Sequence, residues 1–138
     1  AESCTSGLIA SSLSQIPGSS NFFLGGIICY SDLSKINLLG ISPKLINEKS
    51  SVSEDVCFEM AQNVRNKFSS DYSIATTGYA GPTGGTEDNP VGTVFITINS
   101  LKGSITEKIL FSGDRKIILN QVRIKALELL INEIKKHE

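Results

Sequence analysis

The chain has 138 residues, of which 40% are hydrophobic and 20% are charged. This composition is typical of one folded globular domain and argues against a disordered chain. Lysine plus arginine number 13 and aspartate plus glutamate number 14, which gives a net charge of -1. Because nucleic-acid binding needs a cationic surplus, we expect no nucleic-acid partner. No apolar run approaches the roughly 20 residues that cross a bilayer, so we expect no membrane partner.

The hydrophobic pattern predicts helices that alternate with strands, followed by two adjacent strands and a long final helix. In chain order, the predicted elements are a helix over 7–16, a buried strand over 22–30, a helix over 32–39, a short helical turn from Pro43, a helix from Ser53 to Phe68, strands over 72–77, 91–98 and 104–111, and a helix capped by Asp114. The alternation within 104–111 predicts a half-exposed edge strand. We therefore expect an α/β fold, a three-layer α/β/α sandwich with a mixed, partly parallel sheet.

The cysteine and histidine counts limit the chemistry. Cys4, Cys29 and Cys57 are odd in number and widely spaced, which is not typical of a disulfide framework. We therefore expect a reduced, cytoplasmic compartment. The single histidine is His137, so a Ser-His-Asp triad, a Cys-His pair and a histidine-rich metal site are all disfavoured. A hydrolytic site in this chain needs another base, and we expect no metal or other cofactor.

The segment from Ser3 to Gly7 is the first candidate for chemistry. If a strand precedes it, free backbone N–H groups gather around Ser3, where they can bind an anion or an oxyanion. The alternative is an ordinary helix cap. Cys4 is a competing thiol nucleophile beside Ser3, whereas Cys29 and Cys57 are predicted to be inert core thiols.

Two cations are predicted near the start of a helix, where positive charge opposes the helix dipole. Lys35 follows Ser31 by four residues, and this position, like burial, favours the neutral amine that a serine-lysine dyad needs as its base. Arg115 follows Asp114, and its guanidinium suits a phosphate or carboxylate ligand there. The alternatives are an exposed surface lysine and a local Asp114–Arg115 surface pair.

A glycine-rich loop over 78–86 follows a predicted strand, at the edge where α/β sheets bind ligands. The loop carries four glycines, Gly78, Gly81, Gly84 and Gly85. Glycines let the backbone approach a ligand and form anion-binding concavities, and a long structural turn is the alternative. The loop is neither a P-loop nor a dinucleotide fingerprint. Tyr30, at a predicted strand end, either stacks on a ligand ring or packs half-buried.

These residues belong to a set of short motifs that runs in order over almost the whole chain and is highly specific as a set. The motifs are Ala1-Glu2-Ser3-Cys4-Thr5, Pro17-Gly18-Ser19-Ser20, Tyr30-Ser31 with Lys35 following, Val52-Ser53-Glu54, Thr77-Gly78-x-Ala80-Gly81-Pro82-x-Gly84-Gly85, Pro90-Val91-Gly92-Thr93-Val94 and Ser112-Gly113-Asp114-Arg115. On these motifs the chain resembles the CinA carboxy-terminal domain family, which includes stand-alone nicotinamide mononucleotide (NMN) amidohydrolases.

The resemblance implies an α/β/α sandwich that hydrolyses the carboxamide of NMN to nicotinate mononucleotide and ammonia. By similarity, Ser3 corresponds to the nucleophile of the family and Lys35 to its general base. The residues assigned to substrate binding are Thr5, Tyr30, Ser31, Thr77, Gly78, Gly81, Gly84, Gly85 and Arg115. Within this pocket, Arg115 is assigned to the phosphate on chemical grounds. The expected partners are a small-molecule nucleotide substrate and further copies of the chain in a homo-oligomer.

The chain differs from the family near the dyad. Ser6 stands where the family usually has glycine, so its Cβ is expected to narrow the turn beside Ser3. Asp32 stands where the family often has asparagine, and its carboxylate favours the charged form of Lys35. The family also has a helix and a strand before Ala-Glu-Ser, so residues 1–138 are expected to form one domain without these two elements.

Two other functions stay open. One is a non-catalytic domain of the same fold that binds a nucleotide or a partner in a competence or DNA-damage setting. The other is a general small-amide hydrolase with a different leaving group. Ammonia release from NMN distinguishes the amidohydrolase from the binding domain. Activity on NMN without activity on plain nicotinamide distinguishes it from the general amidase.

Overall fold

The computed structural model describes residues 1–138 and shows an α/β fold. Its elements are the helices α1 (Leu8–Ser14), α2 (Asp32–Leu39), α3 (Pro43–Lys49), α4 (Glu54–Phe68) and α5 (Arg115–Lys135), and the strands β1 (Tyr72–Gly78), β2 (Thr93–Ser100) and β3 (Gly103–Leu110). The predicted helices and three of the four predicted strands are confirmed, with ends shifted by at most two residues. No helix has both the length and the apolar composition that crossing a membrane requires.

The three strands form one antiparallel sheet in the order β1-β2-β3. β2 is buried along its whole length, whereas β3 is the half-exposed edge strand that its sequence pattern predicts. Parallel pairing is limited to two isolated bridges from Glu2, one to Ile28 and one to Thr76. The expected mixed sheet is therefore corrected to an antiparallel sheet, beside which Glu2 makes two isolated parallel bridges.

Helices cover both faces of the sheet because the side chains of β2 alternate between two cores. On one face, Phe95 packs with Val56 and Met60 of α4. On the other face, Ile96 packs with Val122 of α5. Full burial of an apolar side chain of this size contributes about 1.5–3 kcal/mol, so both layers hold the sheet in place.

Three helices begin at polar caps that the sequence predicts. Ser31 Oγ accepts a hydrogen bond from Ser34 N at 3.1 Å, and Ser34 Oγ accepts one from Ser31 N at 3.0 Å, which closes a capping box on α2. Ser53 Oγ accepts from Val56 N at the start of α4. Asp114 Oδ1 accepts from the third backbone N–H of α5. These caps fix where the cationic residues of α2 and α5 stand.

The prediction of a buried strand over 22–30 is wrong. Phe22 and Leu24 are more than half exposed, and the segment makes one isolated bridge, from Ile28 to Glu2. A continuous apolar run does not show which segment will pair with it. The bridge to Glu2 is isolated, so no ladder of strand length forms along this segment. Cys29 is nevertheless fully buried.

We expect Ser31→Ala to lower the free energy of unfolding by about 1 kcal/mol, because the capping box on α2 loses its acceptor. Ser14→Ala is the matched control, since Ser14 is an exposed helical serine whose hydroxyl bonds only to Ser11 O within α1. Urea unfolding followed by circular dichroism measures both. Equal losses in the two variants would show that the capping box adds nothing specific.

Candidate active site

Ser3 and Lys35 meet in the structure, although 32 positions separate them in the chain. Lys35 Nζ lies 2.9 Å from Ser3 Oγ. It also donates to Cys29 O at 3.1 Å and to Tyr30 O at 3.3 Å. Both side chains are shielded from water, since Lys35 is 2% exposed and Ser3 is 7% exposed. A hydroxyl and an amine are therefore held within the distance that proton transfer requires.

Burial lowers the pKa of Lys35 from its ordinary value of 10.5, because the ammonium form loses hydration. Four acidic groups act in the opposite direction with smaller effect, and they are Cys29, Asp32, Cys4 and Cys57. Asp32, whose carboxylate favours the charged form of Lys35, does not reverse this lowering of the pKa. The neutral amine is therefore more accessible at moderate pH than in an exposed lysine.

A sharp turn carries the chain from Ser3 into α1. Ser3 N donates to Thr76 O at 3.0 Å, which anchors the start of the turn beside β1. Ser6 and Gly7 both have left-handed backbones, with φ of 44° and 104°. A Cβ at Gly7 would lie 3.2 Å from the Ile28 side chain, so glycine fits there best. The Ser6 side chain is exposed, so its Cβ is accommodated at the surface.

Two backbone N–H groups follow Ser3 without a backbone partner. The N–H groups of Cys4 and Thr5 donate to no backbone carbonyl. Cys4 also lines the cavity that contains Ser3. Free N–H donors immediately after a nucleophile can stabilise an oxyanion.

The Cys4 thiol is a poor competitor to Ser3. Burial raises the pKa of Cys4 to about 12, so the thiol stays protonated near neutral pH. Only the thiolate is a strong nucleophile. Burial likewise raises the pKa of Cys57 to about 12, and Cys29 and Cys57 are both fully enclosed, as predicted for core thiols.

A cavity of about 150 Å³ opens at the dyad. Its lining comes from several separate chain segments and consists of Ser3, Cys4, Tyr30, Lys35, Ser51, Val52, Thr77, Gly78, Ala80 and Arg115. Arg115 donates from Nη1 to Gly81 O at 2.7 Å and from Nη2 to Tyr30 Oη at 3.1 Å. A guanidinium has five N–H donors, so three remain for an anionic ligand.

The cavity brings together six of the eleven residues that the sequence analysis assigns to the site, namely Ser3, Tyr30, Lys35, Thr77, Gly78 and Arg115. Gly81 does not line the cavity, but its carbonyl accepts a hydrogen bond from Arg115, which does. Gly84 and Gly85 lie further along the loop and do not line the cavity. Thr5 is fully buried and donates its hydroxyl to Glu2, and the Ser31 hydroxyl serves as the cap of α2.

Sequence reasoning missed the contribution of Ser51, Val52 and Ala80. Ser51 O accepts from Thr77 Oγ1 at 2.8 Å, so the loop before α4 is joined to the end of β1. Val52 and Ala80 fall within two of the short motifs. From sequence alone, these motifs indicate only a helix cap and a glycine-rich loop.

A larger cleft of about 430 Å³ lies away from the dyad. It is mainly apolar and runs between residues 21–26 and the C-terminal ends of α4 and α5. None of the predicted site residues lines it, so the chemistry points to the smaller cavity. No group of three or more His, Cys, Asp or Glu side chains is placed to bind a metal ion.

The geometry defines a class of protein, an α/β domain with a buried serine-lysine pair. Residues 1–134 match the CinA C-terminal domain family. The chain therefore belongs to this family.

Relatives and solved structures agree with this assignment. The chain is 45% identical over 137 residues to a CinA-like protein of Flavobacterium psychrophilum, covering 99% of this chain and 33% of that protein. It is 42% identical over 130 residues to a CinA-like protein of Fervidobacterium nodosum, covering 94% and 32%. The chain thus spans about a third of the length of these relatives.

Among solved structures, the competence damage-inducible protein A of Klebsiella pneumoniae superposes with a TM-score of 0.93 at 31% identity, over 97% of this chain and 83% of that one. A competence-damaged protein (CinA) superfamily protein of Escherichia coli superposes with a TM-score of 0.88 at 35% identity, over 94% and 76%. The three-layer arrangement is therefore shared with solved members of the family.

We expect Lys35 to lose its proton below pH 10.5, because burial disfavours its ammonium form. Exposed Lys44 is the matched control, since its side chain is 81% exposed. Carbon-13 NMR of the lysine Cε signals, assigned with Lys→Arg variants, measures both titrations. A midpoint for Lys35 at or above that of Lys44 would contradict the inferred base.

Proposed function

We propose that the chain hydrolyses the carboxamide of NMN to nicotinate mononucleotide and ammonia, with Ser3 as nucleophile and Lys35 as general base. The observation that carries the proposal is the buried contact of 2.9 Å between Ser3 Oγ and Lys35 Nζ. Membership of the CinA C-terminal domain family supports it. The reaction class is acyl transfer from an amide to water.

The three oxygen contacts of Lys35 Nζ fit the three N–H donors of its ammonium form, and they also fit the neutral amine. A neutral amine has two N–H donors and one lone pair. Cys29 O and Tyr30 O accept the two donors. In the neutral form, the lone pair faces Ser3 Oγ and accepts the hydroxyl proton when the long hydrogen bond of 3.4 Å from Ser3 Oγ to Tyr30 O opens. The two carbonyls therefore orient the base as well as satisfying it.

In the proposed reaction, Lys35 takes the hydroxyl proton while Ser3 Oγ forms a bond to the carboxamide carbon. The backbone N–H group of Cys4, which lines the cavity beside Ser3, stabilises the resulting oxyanion. The Lys35 ammonium then protonates the amide nitrogen, the C–N bond breaks and ammonia leaves. Water, deprotonated by Lys35, attacks the acyl-enzyme and releases nicotinate mononucleotide, which regenerates Ser3. The positive charge of the pyridinium ring withdraws electrons and makes this amide more electrophilic.

The cavity at the dyad is large enough for only one part of the proposed substrate. At about 150 Å³, the cavity is smaller than the 300–1,000 Å³ of a typical drug-sized ligand site. We therefore place only the pyridine carboxamide at the dyad. The ribose and phosphate then lie at the mouth, where Arg115 offers three free donors beside the glycine-rich loop.

A homo-oligomer stays a prediction, and β3 is one edge of the sheet where a second copy could pair.

We expect Ser3→Ala and Lys35→Ala each to reduce ammonia release from NMN at least about 1,000-fold, because nucleophile and base act as a unit. Lys44→Ala, which removes an exposed lysine, should keep wild-type activity. A coupled assay for ammonia measures turnover, and circular dichroism verifies folding.

The pH dependence of turnover is a second test of Lys35 as the base. Because only the neutral amine is a base, turnover should rise with pH through the lowered pKa of Lys35 and be lost below it.

Wild-type turnover in either the Ser3→Ala or the Lys35→Ala variant would remove that residue from the mechanism. NMN binding by the wild type without ammonia release would favour a nucleotide-binding domain instead.

We expect Arg115→Gln to raise the KM for NMN by about 10-fold or more with little change in kcat, because a charge-assisted contact to the phosphate is lost. Nicotinamide riboside lacks the phosphate, so its turnover should be nearly unaffected. Arg123→Gln is the matched control, since Arg123 lies on α5 outside the cavity and bonds to Asn120 and Ser12. Equal losses on both substrates would assign Arg115 to the support of Tyr30 rather than to the phosphate.

A further inference from the structure

Glu2 is buried beside the dyad but takes no part in the proposed reaction. Its side chain is 5% exposed. Oε1 accepts from Thr5 Oγ1 at 2.7 Å and from Ile9 N at 2.9 Å, and Oε2 accepts from Ala10 N at 2.9 Å. No lysine or arginine forms an ion pair with it. A buried carboxylate without a counter-ion is costly, so its neutral donors must be accurately placed.

The backbone of Glu2 lies between the nucleophile and the support of the base. Glu2 N donates to Ile27 O, and Glu2 O accepts from Cys29 N, both at 2.9 Å. Cys29 O in turn accepts from Lys35 Nζ at 3.1 Å. Ser3 is the next residue in the chain. A shift of Glu2 therefore moves Ser3 relative to the carbonyl that orients Lys35.

Thr5 links this arrangement to β1. Its hydroxyl has one hydrogen, which it donates to Glu2, so Thr76 Oγ1 is the donor in its contact of 2.8 Å with Thr5 Oγ1. Thr76 O accepts from Ser3 N. Thr5 and Thr76 are both fully buried, and neither lines the cavity. The three side chains thus form a connected support underneath Ser3.

We propose that Glu2 and Thr5 are positioning residues, whose hydrogen bonds hold Ser3 Oγ at the distance from Lys35 Nζ that proton transfer needs. This inference rests on the proposed function, because it takes Ser3 and Lys35 as the reacting pair. A displacement of about 1 Å can cost about 100-fold in rate. Since neither side chain reaches the substrate, the loss falls on kcat and on the reactivity of Ser3, and not on KM.

Three substitutions test the support. Glu2→Gln keeps the side-chain size but places an amide N–H₂ against a backbone N–H donor. Thr5→Val keeps the shape and removes the hydroxyl, whereas Thr5→Ser keeps the hydroxyl. We expect Glu2→Gln and Thr5→Val to lower kcat about 10- to 100-fold with KM within about twofold. Thr5→Ser should stay within about threefold of the wild type, since it retains the hydrogen bonds.

Glu133→Gln is the matched control for the loss of a buried carboxylate. Glu133 is 6% exposed and interacts with Lys136 and His137 at the end of α5. It does not line the dyad cavity. We expect this variant to lower the melting temperature, because the contacts with Lys136 and His137 weaken, and to leave kcat at the wild-type value.

A second readout does not depend on NMN. A fluorophosphonate probe reacts with an activated serine, so that Ser3 Oγ forms a bond to phosphorus, fluoride leaves and Lys35 takes the proton. Mass spectrometry locates the adduct and follows its rate of formation. We expect labelling of wild-type Ser3, slowed in Glu2→Gln and Thr5→Val by about the same factor as kcat.

The outcomes are distinguishable. If wild-type Ser3 is labelled but no ammonia is released from NMN, the proposed function fails, and the labelling rates still decide the role of Glu2. Wild-type kcat or labelling in a folded Thr5→Val protein overturns the inference, even if Glu2→Gln does not fold. A lower melting temperature with unchanged reactivity reduces Glu2 to a helix cap. An unlabelled wild-type Ser3 overturns the inference and the dyad together.

Discussion

The burial of the Lys35 amine among neutral oxygen atoms is the constraint on which the site depends. No ion pair neutralises this lysine, so its charged form is penalised and its pKa falls. Ser3 Oγ, Cys29 O and Tyr30 O supply its three polar contacts. The Cys29 and Tyr30 carbonyls belong to the segment that leads into α2, so the chain just before this helix supplies two of the three contacts of its buried lysine.

The fold brings the other site residues to the same place through element ends. Ser3 precedes the turn into α1, Lys35 stands in the second turn of α2, Thr77 lies at the end of β1 and Arg115 begins α5. Element ends carry backbone groups without partners inside the element, so they can turn toward a ligand or a side chain. The two hydrophobic cores on either side of β2 then hold these element ends in fixed positions relative to one another.

Much of this arrangement follows from local sequence, and the rest follows from contacts between distant segments. The caps at Ser31, Ser53 and Asp114 place three helices correctly, because a cap is a local interaction. The strand over 22–30 fails because strand pairing depends on a distant partner. The short motifs select residues near the cavity, but they do not show which side chains enter it. Thr5 and Ser31 are examples, since internal hydrogen bonds engage both hydroxyls.

The order of residues in the motif Ala1-Glu2-Ser3-Cys4-Thr5 has a physical explanation. Successive side chains of an extended backbone point to opposite sides, so Ser3 can enter the cavity while its neighbour Glu2 is buried beneath α1. The turn after Ser3 then brings Thr5 to the buried side, where its hydroxyl joins Glu2 to Thr76 of β1. The proposed nucleophile and its proposed support therefore fit within four consecutive residues. The intervening Cys4 is left as an inert thiol, because the burial that supports Ser3 also keeps that thiol protonated.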